Sequence, residues 1–217
     1  MSATHTDGSG GDMTDIRLDR STRGAGRART AALLMCAWIA LLWALEAVDV
    51  VTGHALDAHG IVPRDPGELL DVVPSAFLHF GFAHVASNTI PLLVLGFLAA
   101  LGGIRRFLAV AALIVVADGL AVWLVSPSGT NTAGASGLVF GLFGYLLARG
   151  FVERKALDVV VGVLVAAVWG GSILAGLSPS ASGVSWQGHL FGLVAGVAAA
   201  FVLRTRGRTP RQRVPAC

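Results

Sequence analysis

The chain has 217 residues, of which 54% are hydrophobic and 13% charged, and its mean hydropathy is +0.72. That balance excludes an ordinary water-soluble globule. The net charge of +3 and a pI near 9.5 do not indicate a nucleic-acid partner, because the arginines flank apolar runs instead of forming one continuous basic face.

Residues 1–29 are rich in Gly, Thr, Ser and Asp, then Arg. They hold too little apolar content to fold alone and read as a mobile cytoplasmic tail. Six apolar runs follow, near 30–51, 76–101, 107–125, 134–151, 156–177 and 188–203, each roughly the twenty residues needed to cross a bilayer as a helix. A transmembrane barrel is excluded, since it needs short strands alternating in polarity. The fold class is therefore all-α, a polytopic membrane protein in which 30–203 form a six-span bundle and 204–217 a basic cytoplasmic tail. The first run begins too late and is too long for a signal peptide, so it reads as a retained anchor. Cys36 and Cys217 make no disulfide framework. No zinc spacing is present, and no metal or organic cofactor is called for.

Every Lys and Arg except Arg64 falls before span one, between spans two and three, between four and five, or after span six. The positive-inside rule then places both termini in the cytoplasm. The expected location is the plasma (inner) membrane of a bacterium, with the lipid bilayer as a partner. On the outer side the loop near 52–75, with three prolines and four acids, is too long for a simple connector and reads as a partly structured interfacial element.

Ionisable and polar residues inside a span are functional candidates by default. His84 and Asn88 in span two, Ser136 in span four and His189 in span six all lie in the outer halves of their spans. His84 and Asn88 are four apart and share a helix face. His79, read as part of the same helix, is rotated from them by about 140°. Asp118 in span three reads as a residue bridging to the outer joint, with a proton-relay or ion site as the alternative.

Gly134, Gly137, Gly141 and Gly144 form a smooth stripe on span four, matched by Gly192 and Gly196 on span six. Close packing there would bring His189 within reach of Ser136. A serine and histidine so placed suit nucleophilic catalysis, the imidazole taking the hydroxyl proton and returning it to the leaving amine. No acid lies at the right depth in span six, which favours a dyad with packing to orient the ring. His84, the Asn88 amide and the Ser136 N–H are available as oxyanion donors.

The run His79-Phe-Gly-Phe-Ala-His84-Val-Ala-Ser-Asn88, with Gly134-Ala135-Ser136-Gly137 and His189-Leu-Phe-Gly192-Leu-Val-Ala-Gly196, resembles the rhomboid intramembrane serine proteases across roughly residues 73–203. The resemblance implies Ser136 as nucleophile, His189 as base and acid, and His84, Asn88 and the Ser136 N–H as the oxyanion site, with His79 supporting the loop. It implies transmembrane proteins as substrates, cut in or near their membrane segments. Phe140 stands where the family commonly carries a tyrosine stacked on the histidine, so stacking survives without the hydroxyl. The first loop lacks the family's frequent Trp-Arg pair. Two rival readings are a catalytically inactive rhomboid-like protein that binds membrane helices and, ranked below it, a small proton-coupled transporter.

Overall fold

The computed structural model describes residues 11–180 and 183–204. Residues 1–10 and 205–217, with the outer part of the expected N-terminal tail and nearly all of the basic C-terminal one, lie outside the described residues. Among the described residues, six α-helices run in chain order: α1 (Gly11–Val51), α2 (Phe82–Ala100), α3 (Ile104–Val125), α4 (Ser136–Glu153), α5 (Ala156–Gly176) and α6 (Trp186–Val202). Among the described residues no strand forms, and a lone antiparallel bridge joins Ile61 to Thr132. Five helices are long and apolar enough to cross a membrane, and α6 is shorter.

Two boundaries differ from the sequence reading. Helix α1 begins at Gly11, so residues 11–29 are helical where an unfolded tail is expected. No proline interrupts this stretch, and its Arg, Ala and Leu are good helix formers. At the second run the helix starts at Phe82 instead of near residue 76. Pro74 opens a 3-10 turn over Pro74–Phe77, and Gly81 takes a φ of 104°, a value that breaks helical continuity and that glycine tolerates without strain.

Large apolar side chains such as Val160, Val163, Leu164 and Val168 are exposed along α5, as Leu33, Leu41 and Val48 are along α1. In water such faces would be anomalous; against lipid tails they are matched. Helix α4 is the most enclosed element. Its glycine face lies on α6 so closely that a Cβ added at Gly196 would sit 1.7 Å from the Gly141 carbonyl oxygen, and one at Gly192 would sit 2.2 Å from that of Gly137. Backbone-to-backbone contact of this kind is how helices associate where no hydrophobic force separates protein from solvent. Helix α1 joins through Met35, which lies against Gly96 of α2, and through Trp43, whose indole N–H donates to Thr89 Oγ1 at 3.0 Å.

At the end of α4 away from Ser136, Arg106 pairs with Glu153 and Arg149 with Asp158. Both guanidinium groups stand over the ring of the buried Tyr145, at 5.6 and 5.7 Å from its centroid. Buried charge is tolerable there because each acid has a cation beside it.

The loop between α1 and α2 is structured, with 3-10 turns over Leu56–His59, Pro66–Val72 and Pro74–Phe77. Arg64 seats it: the guanidinium donates to the carbonyl oxygens of Leu124 and Ser126 at 3.0 and 2.8 Å and to Ser128 Oγ at 2.6 Å. These carbonyls belong to the end of α3, where the helix leaves acceptors unpaired. Trp123 reciprocates, its indole N–H donating to the Asp65 carbonyl at 3.0 Å. Arg64→Ala should therefore lower stability by about 1 kcal/mol, the net worth of exposed charge-assisted hydrogen bonds. Thermal unfolding in detergent, with faster proteolysis of the 52–75 loop, measures it.

Glu46 and Asp49, both buried on α1, carry a polar feature that the sequence reading passes over. Asp49 accepts from the Leu56 N–H at 2.8 Å and holds His54 Nδ1 at 2.8 Å, tying the loop to the helix end. That hydrogen bond raises the pKa of His54 above its ordinary value. The pair's contribution is complete below the unfolded histidine pKa of about 6.5 and is lost as pH rises through the raised folded value. The thermal midpoint should be slightly higher at about pH 6 than at about pH 9, and the difference should shrink in His54→Gln.

Candidate active site

The chain enters α4 through Gly134, whose φ is 137°. Its N–H donates to the Ser75 carbonyl at 2.9 Å, and the next N–H, that of Ala135, donates to His79 Nε2 at 3.3 Å. His79 is not on the α2 helix face assumed from sequence, because α2 begins three residues later. From the preceding loop its ring meets His84 edge-on, centroids 4.9 Å apart. The turn before Ser136 is thus pinned twice, and Ser136 opens the helix in its first position.

A cavity of about 770 Å³ lies at this end of the bundle, and Ser136, His189, His84, Asn88, Asp118 and Trp169 are among its lining residues. Five helices, α2 to α6, contribute polar groups to it, α5 through Ser172. The imidazole of His189 is stacked on Phe140, with centroids 3.9 Å apart and planes 12° from parallel. Its Nδ1 lies 2.7 Å from the Gly176 carbonyl oxygen. A carbonyl only accepts, so Nδ1 carries the proton, and in the neutral ring Nε2 keeps its lone pair. No hydrogen bond joins Ser136 to His189 among the described residues, although both line the same cavity.

His84 presents the opposite tautomer. Its Nδ1 accepts from the Phe80 N–H at 3.4 Å, which leaves Nε2 as the donor in the neutral ring. That nitrogen lies near Gly134: a Cβ added there would fall 2.9 Å from it and 3.8 Å from Ser136 Oγ. Asn88, also buried, spends one amide N–H on the His84 carbonyl at 3.2 Å and retains the second. The N–H of Ser136 lies in the first helical turn, where no intrahelical acceptor exists.

Two features escape sequence reading. Gly176, at the end of α5, supplies the partner of His189, and a Cβ there would lie 2.6 Å from the Phe140 ring and 3.0 Å from His189 Nδ1. A main-chain carbonyl leaves no mark in a sequence; only the glycine hints at crowding. Asp118 does not bridge to the outer joint. Its Oδ2 rests against Gly137, where an added Cβ would fall 1.9 Å away, and its Oδ1 has no hydrogen-bond partner. Within this turn of α3 it is the neighbouring Gly119 that meets the loop, at Val72, while Asp118 faces Gly137 of α4.

The fold and this cavity define a helical membrane protein with a polar site sunk among its helices. Residues 66–206 match the rhomboid domain, and the chain belongs to the rhomboid family. An uncharacterized protein of Mycobacterium tuberculosis (strain H37Rv) is 44% identical over 182 residues, covering 80% of this chain and 75% of that one. One from Mycobacterium leprae is 40% identical over 182 residues, covering 80% and 72%. The rhomboid protease GluP of Bacillus subtilis is 31% identical over 138 residues, which are 63% of this chain and 26% of that protein.

Proposed function

We propose that the protein is an intramembrane serine endopeptidase that hydrolyses peptide bonds in or near the transmembrane segments of other membrane proteins. All six helices span the membrane, both termini face the cytoplasm, and the cavity opens on the outer side of a bacterial plasma membrane. The observation that carries this reading is the commitment of His189 Nδ1 to the Gly176 carbonyl. It leaves Nε2 as the basic atom of a ring that shares its cavity with Ser136.

Nε2 accepts the Ser136 hydroxyl proton as Oγ attacks the scissile carbonyl carbon. The developing oxyanion receives hydrogen bonds from His84 Nε2–H, the free Asn88 amide N–H and the Ser136 N–H. The protonated imidazole then gives its proton to the leaving amine as the C–N bond breaks and the acyl enzyme forms, and water, activated by the same nitrogen, hydrolyses that ester to free the new carboxyl terminus and restore Ser136. Ser136 and His189 draw within hydrogen-bond distance when substrate is bound, since catalytic hydrogen bonds are commonly long in the free enzyme. Helical backbone satisfies its own hydrogen bonds, so a substrate must unwind locally, and segments weakened by glycine are preferred.

The missing Ser136–His189 hydrogen bond favours one other reading, a member that binds membrane helices without cutting them. Purified protein incubated with single-span substrates and a fluorophosphonate probe separates the two. Wild type should cleave and become labelled, and Ser136→Ala should do neither. Normal turnover by Ser136→Ala would refute the assignment.

A further inference from the structure

Asp118 is an acid that the mechanism above does not use. It lines the cavity together with Ser136 and His189, and no Lys, Arg or second Asp or Glu lines it with them among the described residues. Its carboxyl group lies against the backbone of Gly137, the residue next to Ser136. Gly137 has to lack a side chain partly for this reason: a methyl group there would collide with Oδ2 before it met α6. The carboxyl is therefore held against the residue that follows the reacting serine.

A carboxyl at membrane depth requires a counter-charge or a hydrogen-bond donor. This one has no cation beside it; its carboxyl meets the backbone N–H of Gly192 on α6, while Oδ1 is enclosed without a partner. Among the described residues, Arg64 is engaged with the end of α3, and Arg106 and Arg149 with acids at the far end of α4. The terminal torsion of an aspartate is broad, which leaves the carboxyl able to reorient within the cavity wall of which it is part.

We propose that Asp118 forms a substrate subsite for a basic side chain, lysine or arginine, close to the scissile bond. This rests on the reading of Ser136 and His189 as the catalytic pair. The electrostatics give the subsite a second effect. A lysine or arginine seated on Asp118 supplies the counter-charge that this buried carboxyl lacks and sets a cation near the oxyanion that forms on the substrate carbonyl, where it stabilises the transition state more than the ground state. The preference for a basic residue therefore acts on kcat as well as on KM.

The test walks a lysine through the positions flanking the cleavage site of a single-span substrate, with norleucine at the same positions as the uncharged control. The full-length protein in liposomes is assayed for kcat/KM, and Ser136 is labelled with a fluorophosphonate in parallel. Wild type should favour lysine over norleucine by about ten-fold or more at one position, the size of a single partly buried charge pair. In Asp118→Asn that preference should vanish. Asp118→Ser provides the same comparison if the asparagine variant misfolds. A flat lysine profile in the wild type overturns the inference, as does an unchanged preference in Asp118→Asn. Either result, with Ser136 still labelled and norleucine substrates still cut, leaves the catalytic reading standing. An unlabelled, inactive wild type removes both.

Discussion

Gly196→Val should unfold the bundle or leave it unable to assemble, with a loss of about 3 kcal/mol or more, at the upper end of what overpacking costs. The neighbour that the new side chain would strike is the backbone of α4: the Gly141 carbonyl oxygen lies 1.7 Å from an ideal Cβ, and Gly141 Cα lies at 2.8 Å. A crowded side chain can change rotamer, but a crowded helix has to move as a whole. The contact repeats one turn earlier, where Gly192 meets the Gly137 carbonyl, so displacement at Gly196 also separates α4 from α6 near the cavity. Gly170→Ala and Gly171→Ala are the internal comparison, because nothing lies within 4 Å of a Cβ at either position. Those two should be neutral or slightly stabilising through reduced freedom of the unfolded chain. Thermal or denaturant unfolding in a fixed detergent ranks the three. A Gly196→Val protein as stable as the Gly170→Ala one would mean that α4 and α6 do not meet as described.

His189→Ala should reduce cleavage of a single-span substrate by roughly a hundred- to ten-thousand-fold, the usual worth of a positioned general base. The imidazole is held by one hydrogen bond and one stacked ring, at 2.7 Å from Gly176 and 3.9 Å from the Phe140 centroid. Neither restraint survives truncation to a methyl group, and no other basic nitrogen with a free lone pair replaces it, since the His84 ring uses Nδ1 as an acceptor and carries its proton on Nε2. The Gly176 carbonyl also loses its donor, an orphaning that costs about 1–3 kcal/mol. Unfolding measured beside kcat/KM therefore distinguishes the chemical loss from the structural one. A protein that keeps its fold and its turnover without His189 would rule out the base assigned here.

The helical runs were legible because hydropathy and length are properties of a segment: α3 ends at Val125 and α5 begins at Ala156, where the apolar runs do. The small-residue stripes on α4 and α6 were equally readable, since glycine at three- and four-residue spacing has few other uses in an apolar helix. Geometry that depends on a turn was not legible. His79 reads as a helical residue until Pro74 and Gly81 are seen to keep the chain out of helix up to Phe82, after which its ring can reach the N–H of Ala135. Arg64 offers no periodicity at all, and its role emerges only when the loop folds back onto the last carbonyls of α3. Asp118 sits on a helix that the sequence located well, but its facing depends on how α3 rolls against α4 and α6, which a one-dimensional pattern does not encode.

The partner of the His189 imidazole is an atom that every amino acid possesses. A base oriented by an aspartate can be disarmed by changing one codon, whereas the Gly176 carbonyl persists through any substitution at its own position. What remains vulnerable is crowding: a larger residue at Gly176 would meet Phe140 and the imidazole together. Genetic fragility at this point is thereby narrowed from chemical identity to molecular size.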